Sequence, residues 1–163
     1  MVKRNLSAKV LSALAGKKLA TAESLTGGGI GQAITSVSGA SAVFAGGIIS
    51  YTNEVKHRVL KVPTKFLETL GPVSKPVAEY MAVGARRILN ADVAVSVTGL
   101  AGPDGDEFGH PVGTVFIGYA DQQYTFAREY HFDGNREEVR EQTICAALEL
   151  VLEMIHDKRG GWK

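Results

Sequence analysis

The spacing of apolar residues changes period along the chain, and each change marks an element. Leu6, Val10, Leu11 and Leu14 keep helical spacing within 2–15, with Gly16 as a stop. A short apolar strand is expected over 18–22, and a helix over 28–36 after a glycine-rich turn. Residues 43–51 read as a second strand, whose Ala45-Gly46-Gly47 suggests a close backbone neighbour or a bulge. Thr52-Asn53-Glu54 looks like a helix start ahead of a short helix over 55–60. Pro63 opens another that ends near Leu70. Ser74 is the expected N-cap of a helix over 75–89. A compact strand over 93–97 runs into a second glycine-rich loop. Strands over 113–120 and 124–132 then form a hairpin around Asp121-Gln122-Gln123. Val139, Thr143, Ala146, Leu150 and Met154 give the last element, over 136–156, helical spacing. The polar tail 158–163 is expected to fray.

Strands alternating with helices, closed by a hairpin, predict an α/β fold: a three-layer α/β/α sandwich with a mixed, mostly parallel central sheet. The length of 163 residues fits one domain, 1–163. Two glycine-rich loops follow apolar strands, after Ala22 and after Val97. If both strands run parallel, both loops face one crevice beyond the strand ends, where ligands favour such sheets.

Composition narrows the function by exclusion. With 45% apolar and 21% charged residues the chain can bury a core. A net charge of +1 gives no electrostatic case for nucleic acid or an anionic membrane. One cysteine, Cys145, excludes an internal disulfide and a multi-cysteine zinc site, and its apolar helical setting points to a buried thiol more than a reactive one. No signal peptide or membrane-spanning run is read, so a cytoplasmic location is expected.

The turn Ala22-Glu23-Ser24-Leu25-Thr26-Gly27-Gly28-Gly29 is the leading candidate for chemistry. Its glycines admit a substrate to the backbone, and the first N–H groups of the following helix favour an anion or oxyanion. Ser24 then reads as a nucleophile. An alternative is that Ser24 and Thr26 only cap the helix. Neither glycine loop is a P-loop, a dinucleotide fingerprint or a hydrolase elbow. The histidines His57, His110, His131 and His156 are scattered. A lysine held neutral by burial is the other common base for a serine, and Lys56 in Tyr51-Thr52-Asn53-Glu54-Val55-Lys56 is the candidate. The alternative is a solvated surface lysine, as expected for Lys61 and Lys65. Asp104, Asp106, Glu107 and His110 suggest either a metal site or a solvated acidic loop, and the second is favoured because oxygen-rich metal loops usually bring more carboxylates in register. Arg136 at a helix N-terminus suits a phosphate, or equally pairs on the surface with Glu137 or Glu138.

The turn just described, Tyr51–Lys56, Gly71-Pro72-Val73-Ser74, Ser96-Val97-Thr98-Gly99-Leu100-Ala101-Gly102-Pro103 and Pro111-Val112-Gly113-Thr114-Val115 follow one another in this order. Together they resemble the CinA C-terminal domain family of nicotinamide-nucleotide amidohydrolases, over about residues 6–155. One departure is Leu25, where many members have cysteine. The resemblance implies hydrolysis of the carboxamide of nicotinamide mononucleotide to nicotinate mononucleotide and ammonia, without metal or cofactor. It implies Ser24 as nucleophile, Lys56 as base and Tyr51 as an aid to proton transfer. Substrate would be held by Thr26, Gly27, Gly28, Thr98, Gly99, Ala101 and Gly102, with Arg136 near the phosphate. A homo-oligomer is expected, with no nucleic-acid or membrane partner. A pyridine-nucleotide-binding regulator without turnover is the alternative from another class.

Overall fold

The computed structural model describes residues 1–161, with side chains to Asp157. Its elements are α1 (Val2–Ala13), β1 (Leu19–Glu23), α2 (Gly29–Thr35), a single 3-10 turn (Ala40–Ala42), β2 (Phe44–Ile49), α3 (Asn53–Arg58), α4 (Thr64–Thr69), α5 (Lys75–Ile88), β3 (Val93–Gly99), β4 (Thr114–Ala120), β5 (Thr125–His131) and α6 (Arg136–Gly161). Helix α6 continues to Gly161 where a frayed tail is expected; the rest of that tail, Trp162 and Lys163, lies outside the described residues.

The strands form one sheet in the order β2-β1-β3-β4-β5. Strand β1 pairs in parallel with β2 and β3, whereas β3–β4 and β4–β5 are antiparallel. Thus β1, β2, β3 and β5 share a direction and only β4 opposes them, which is the sense in which the mixed sheet is mostly parallel. Central β1 is buried throughout, as a strand covered on both faces must be. At the edge, β2 alternates between half-buried and exposed positions.

Alternation on β1 divides the core. Leu19 joins Val10 of α1, Leu14 just past its end, Ile30 and Ile34 of α2 and Leu148 and Val151 of α6 on one face. Ala20 and Ala22 join Leu67 of α4 and Val77 and Met81 of α5 on the other. Helix α5 fits closely there because Gly84 has no side chain: a Cβ would come within 2.4 Å of the Leu60 carbonyl oxygen. That contact seats the segment after α3 directly on α5.

The strand directions set the position of the site. The β1–α2, β2–α3, β3–β4 and β5–α6 connections all emerge at one sheet edge. The β4–β5 turn lies at the other, since Ala120 pairs with Ala94 at the start of β3.

Candidate active site

Ser24 is the first residue past β1, its N–H still donating to the Val97 carbonyl of β3 at 3.1 Å. The turn that follows is held from inside by Glu23, which is 2% exposed. Its carboxylate accepts from Thr26 Oγ1 (2.5 Å), the Ile30 N–H (2.8 Å) and the Gly31 N–H (3.1 Å). A carboxylate at a helix N-terminus satisfies orphan donors and complements the dipole. The end of α2, expected from sequence to face a ligand, is therefore filled by the chain's own Glu23. Gly28, with φ near +104°, makes the left-handed step into α2.

The donors available to a ligand lie earlier in the turn. The Ser24 carbonyl accepts from the Gly27 N–H at 3.0 Å, and the Thr26 carbonyl from the Gly29 N–H at 3.0 Å. Arg140 of α6 donates through Nε to the Leu25 carbonyl (3.0 Å) and through Nη2 to that of Thr26 (3.4 Å). The N–H groups of Leu25 and Thr26 have no partner among the described residues. From Ser24 to Thr26 every main-chain carbonyl is thus engaged, while the Leu25 and Thr26 donors are unpartnered among the described residues.

Lys56 reaches this turn from the neighbouring connection. Thr52 caps α3, its Oγ1 accepting from the Val55 N–H at 3.3 Å. Lys56 lies one helical turn before buried Leu60, so it shares the inward face. It is 1% exposed. Its Nζ donates to Ser24 Oγ at 3.0 Å, to the Ser50 carbonyl at 2.8 Å and to the Tyr51 carbonyl at 3.3 Å. Burial pulls its ammonium down from 10.5 to about 8. Its cationic neighbours in sequence are turned elsewhere: His57 bonds the Val62 carbonyl and Arg58 pairs outward with Glu54, so burial alone lowers Lys56.

A cavity of about 350 Å³ opens beside the pair, within the range of small-molecule clefts. Ser24, Leu25, Tyr51 and Lys56 line it with Thr98, Gly99, Ala101, Gly102 and Arg136. The second glycine loop is held in place by Thr98, whose Oγ1 donates to the Pro72 carbonyl at 2.8 Å. Arg136 bridges the mouth, donating to the Gly102 carbonyl at 2.7 Å and the Tyr51 hydroxyl at 3.3 Å. The Tyr51 ring is exposed and its hydroxyl faces Arg136, while its carbonyl faces Lys56. Of the residues named from sequence, Thr26, Gly27 and Gly28 stand apart from this lining. Thr26 and Arg140 line a separate concavity on the α6 side of the turn. A Cβ on Gly27 would lie 3.8 Å from Arg140 Nη2, and one on Gly28 would lie 3.1 Å from Ile49.

The remaining candidates lie elsewhere. Asp106 accepts from the N–H groups of Phe108 and His110 and from His110 Nδ1, all within its own loop. Burial works against its ionised form, and the bonds to His110 outweigh that and lower its carboxyl. Among the described residues no group of three His, Cys, Asp or Glu side chains could hold a metal ion. Cys145 is half-buried on α6, and burial pushes its thiol up. No helix among them is long and apolar enough to cross a membrane. Sequence reasoning missed Arg140, whose partners are 115 and 114 positions away, and the capping role of Glu23. Neither carries a local sequence signal: the capping-box pattern places its carboxylate three residues after the Ser or Thr, and Glu23 precedes Thr26.

Comparison with known proteins points the same way. The CinA C-terminal domain model matches residues 3–155. A Pseudomonas putida protein named nicotinamide-nucleotide amidohydrolase PncC is 46% identical over 84% of this chain and 86% of its own length. A CinA-like protein of Geobacter sulfurreducens is 47% identical over 82% of the chain, which spans about a third (32%) of that longer relative. Among solved structures, a CinA superfamily protein of Klebsiella pneumoniae superposes with a TM-score of 0.92 at 30% identity, covering 95% of this chain and 98% of its own. The competence/damage inducible protein CihA of Agrobacterium tumefaciens does so with 0.90 at 36%, covering 94% and 95%. With the match of the domain model over nearly its whole length, the chain belongs to the CinA C-terminal domain family.

Proposed function

We propose that the chain, as one domain over residues 1–163, hydrolyses the carboxamide of nicotinamide mononucleotide to nicotinate mononucleotide and ammonia by a serine–lysine mechanism. The observation that carries this reading is the 3.0 Å contact between Ser24 Oγ and a lysine that is 1% exposed. A neutral amine has two N–H bonds and one lone pair. With the N–H groups directed at the Ser50 and Tyr51 carbonyls, the lone pair is left for the Ser24 hydroxyl. Lys56 takes the Ser24 proton as Oγ attacks the amide carbon, and the unpartnered N–H groups of Leu25 and Thr26 receive the oxyanion. Lys56, now charged, protonates the departing ammonia. Water enters by the same base and releases the carboxylate from Ser24. Loop 98–102 flanks the base and ribose, Arg136 takes the phosphate at the mouth, and Tyr51 assists proton transfer there. No metal or cofactor takes part in these steps.

The identity to a protein named for this activity supports the substrate. We further propose that the protein serves pyridine-nucleotide recycling in the cytoplasm as a homo-oligomer, without a nucleic-acid partner. The test is ammonia release from nicotinamide mononucleotide, with the product identified by mass. Stoichiometric ammonia and nicotinate mononucleotide are expected. Binding of the nucleotide without ammonia would overturn the enzyme reading in favour of a regulatory binding module.

A further inference from the structure

We infer that Arg140 is a positioning residue that aims the oxyanion donors of the Ser24 turn, an inference that rests on the acyl-transfer reading above. Arg140 is half-buried, yet among the described residues it makes no ion pair. Its guanidinium is committed to two main-chain carbonyls, those of Leu25 and Thr26. An arginine used in this way fixes peptide planes, because its planar fork sets direction as well as distance.

The geometry of one peptide unit carries the argument. In a trans peptide the C=O and the following N–H point in opposite directions across a rigid plane. Arg140 draws the Leu25 oxygen toward α6, so the Thr26 N–H of the same plane points away from α6. The two concavities flanking the turn show what lies on each side. Arg140 and Thr26 line the one toward α6, while Ser24, Leu25 and Lys56 line the other. A donor turned away from Arg140 therefore faces the side on which Ser24 attacks. The planes on either side, Ser24–Leu25 and Thr26–Gly27, are already tied to each other within the turn, since the Gly27 N–H donates to the Ser24 carbonyl. That leaves the Leu25–Thr26 plane as the one whose tilt depends on a side chain from outside the turn. Without Arg140 this plane can rotate, exchanging a donor facing the pocket for a carbonyl, which would repel the developing oxyanion.

Arg140→Ala and Arg140→Lys, assayed in the full chain, test this. For Arg140→Ala, kcat for ammonia release should fall about 10²-fold, the scale of one lost oxyanion donor. KM should stay within about threefold, and the pH midpoint set by Lys56 should not move, because neither substrate binding nor the base is touched. Phosphonylation of Ser24 by a fluorophosphonate, read by intact mass, should slow in parallel. Arg140→Lys, able to hold one carbonyl, should recover part of the loss, to about a tenth of the wild-type rate. Wild-type-like kcat and phosphonylation in Arg140→Ala, or a loss confined to KM, would overturn the inference. If the alanine variant does not fold, Arg140→Lys decides: a lowered kcat at unchanged KM and pH midpoint supports the inference, and an unchanged kcat refutes it. If the wild type labels on Ser24 but releases no ammonia, the substrate assignment fails, and phosphonylation rates alone test Arg140.

Discussion

Raising the pH from 7 to 9 is expected to increase kcat/KM about tenfold and then bring it to a plateau. The perturbation acts on Lys56, whose ammonium burial lowers to about 8. At pH 7 about a tenth of such a lysine is neutral, and at pH 9 about nine-tenths. A solvated lysine at its ordinary value would gain about a hundredfold over the same interval, with no bend. The two cases therefore differ by an order of magnitude in one ratio and by the presence of a plateau. The burial also raises the neutral fraction at pH 7 by about 300-fold over the solvated residue, which is what a base for a serine hydroxyl needs. The assay is initial ammonia release at subsaturating nicotinamide mononucleotide in buffers of constant ionic strength. Lys56→Arg serves as the control and should be nearly inactive at every pH, because guanidinium does not give up its proton. A flat profile between pH 7 and 9, a hundredfold rise without a bend, or an active Lys56→Arg would refute Lys56 as a buried neutral base.

Other perturbations probe separate parts of the site. Ser24→Ala should reduce turnover by about 10³-fold or more and leave nucleotide affinity near wild type in calorimetry; retention of a tenth of the rate would exclude Ser24 as nucleophile. The buried Lys56 should also make stability depend on pH. Between about 8 and 10.5 the unfolded chain keeps a proton that the folded chain releases, so wild-type stability should rise through that window relative to Lys56→Met. The rise should be on the order of 3 kcal/mol in urea unfolding, with the penalty fully present below the window, and a constant difference would refute it. Glu23→Ala orphans the donors of Thr26, Ile30 and Gly31, and should lower unfolding free energy by about 3 kcal/mol; a loss under about 1 kcal/mol would remove the capping role. Chelation and dialysis should leave activity intact, and loss restored by a divalent ion would contradict the serine–lysine mechanism.

The sequence was informative wherever interactions are local. Helical spacing located α1, α5 and α6, and the glycine turn located Ser24, because period and turn chemistry act over a few residues. The ends of β2 were overread, 43–51 against Phe44–Ile49, since the carbonyls of Ser50 and Tyr51 turn to Lys56 instead of continuing the ladder. Tyr51 and Lys56 were legible as a strand end followed by a capped turn, and Lys56 as the candidate for a lysine held neutral by burial; the packing around it was not. Leu60 and Val62, just after α3, pack with β1 and α5, elements far apart from them in the chain. Arg140 carried no local signal at all: in sequence it is one more charged residue in the first turns of a long helix. The free end of α2 was misjudged because Glu23 could not be seen from sequence to fold back onto it.

Strand β4 has a consequence for how this architecture can be altered. As the sole reversed strand, it returns the chain so that β5 finishes at the edge where β1 and β3 finish. Helix α6 consequently starts there, delivering Arg136 and Arg140 within two turns of its origin. The placement of both arginines is thus a matter of parity. One strand added to or removed from the β3–β5 meander would start α6 at the opposite edge and carry both guanidinium groups a full strand length from Ser24. Strands in this half of the sheet can be gained or lost only in pairs. Insertions at the Asp121–Gln123 turn leave the count unchanged and lie at the edge remote from Ser24. That turn is where a fusion or a redesigned loop should be tolerated.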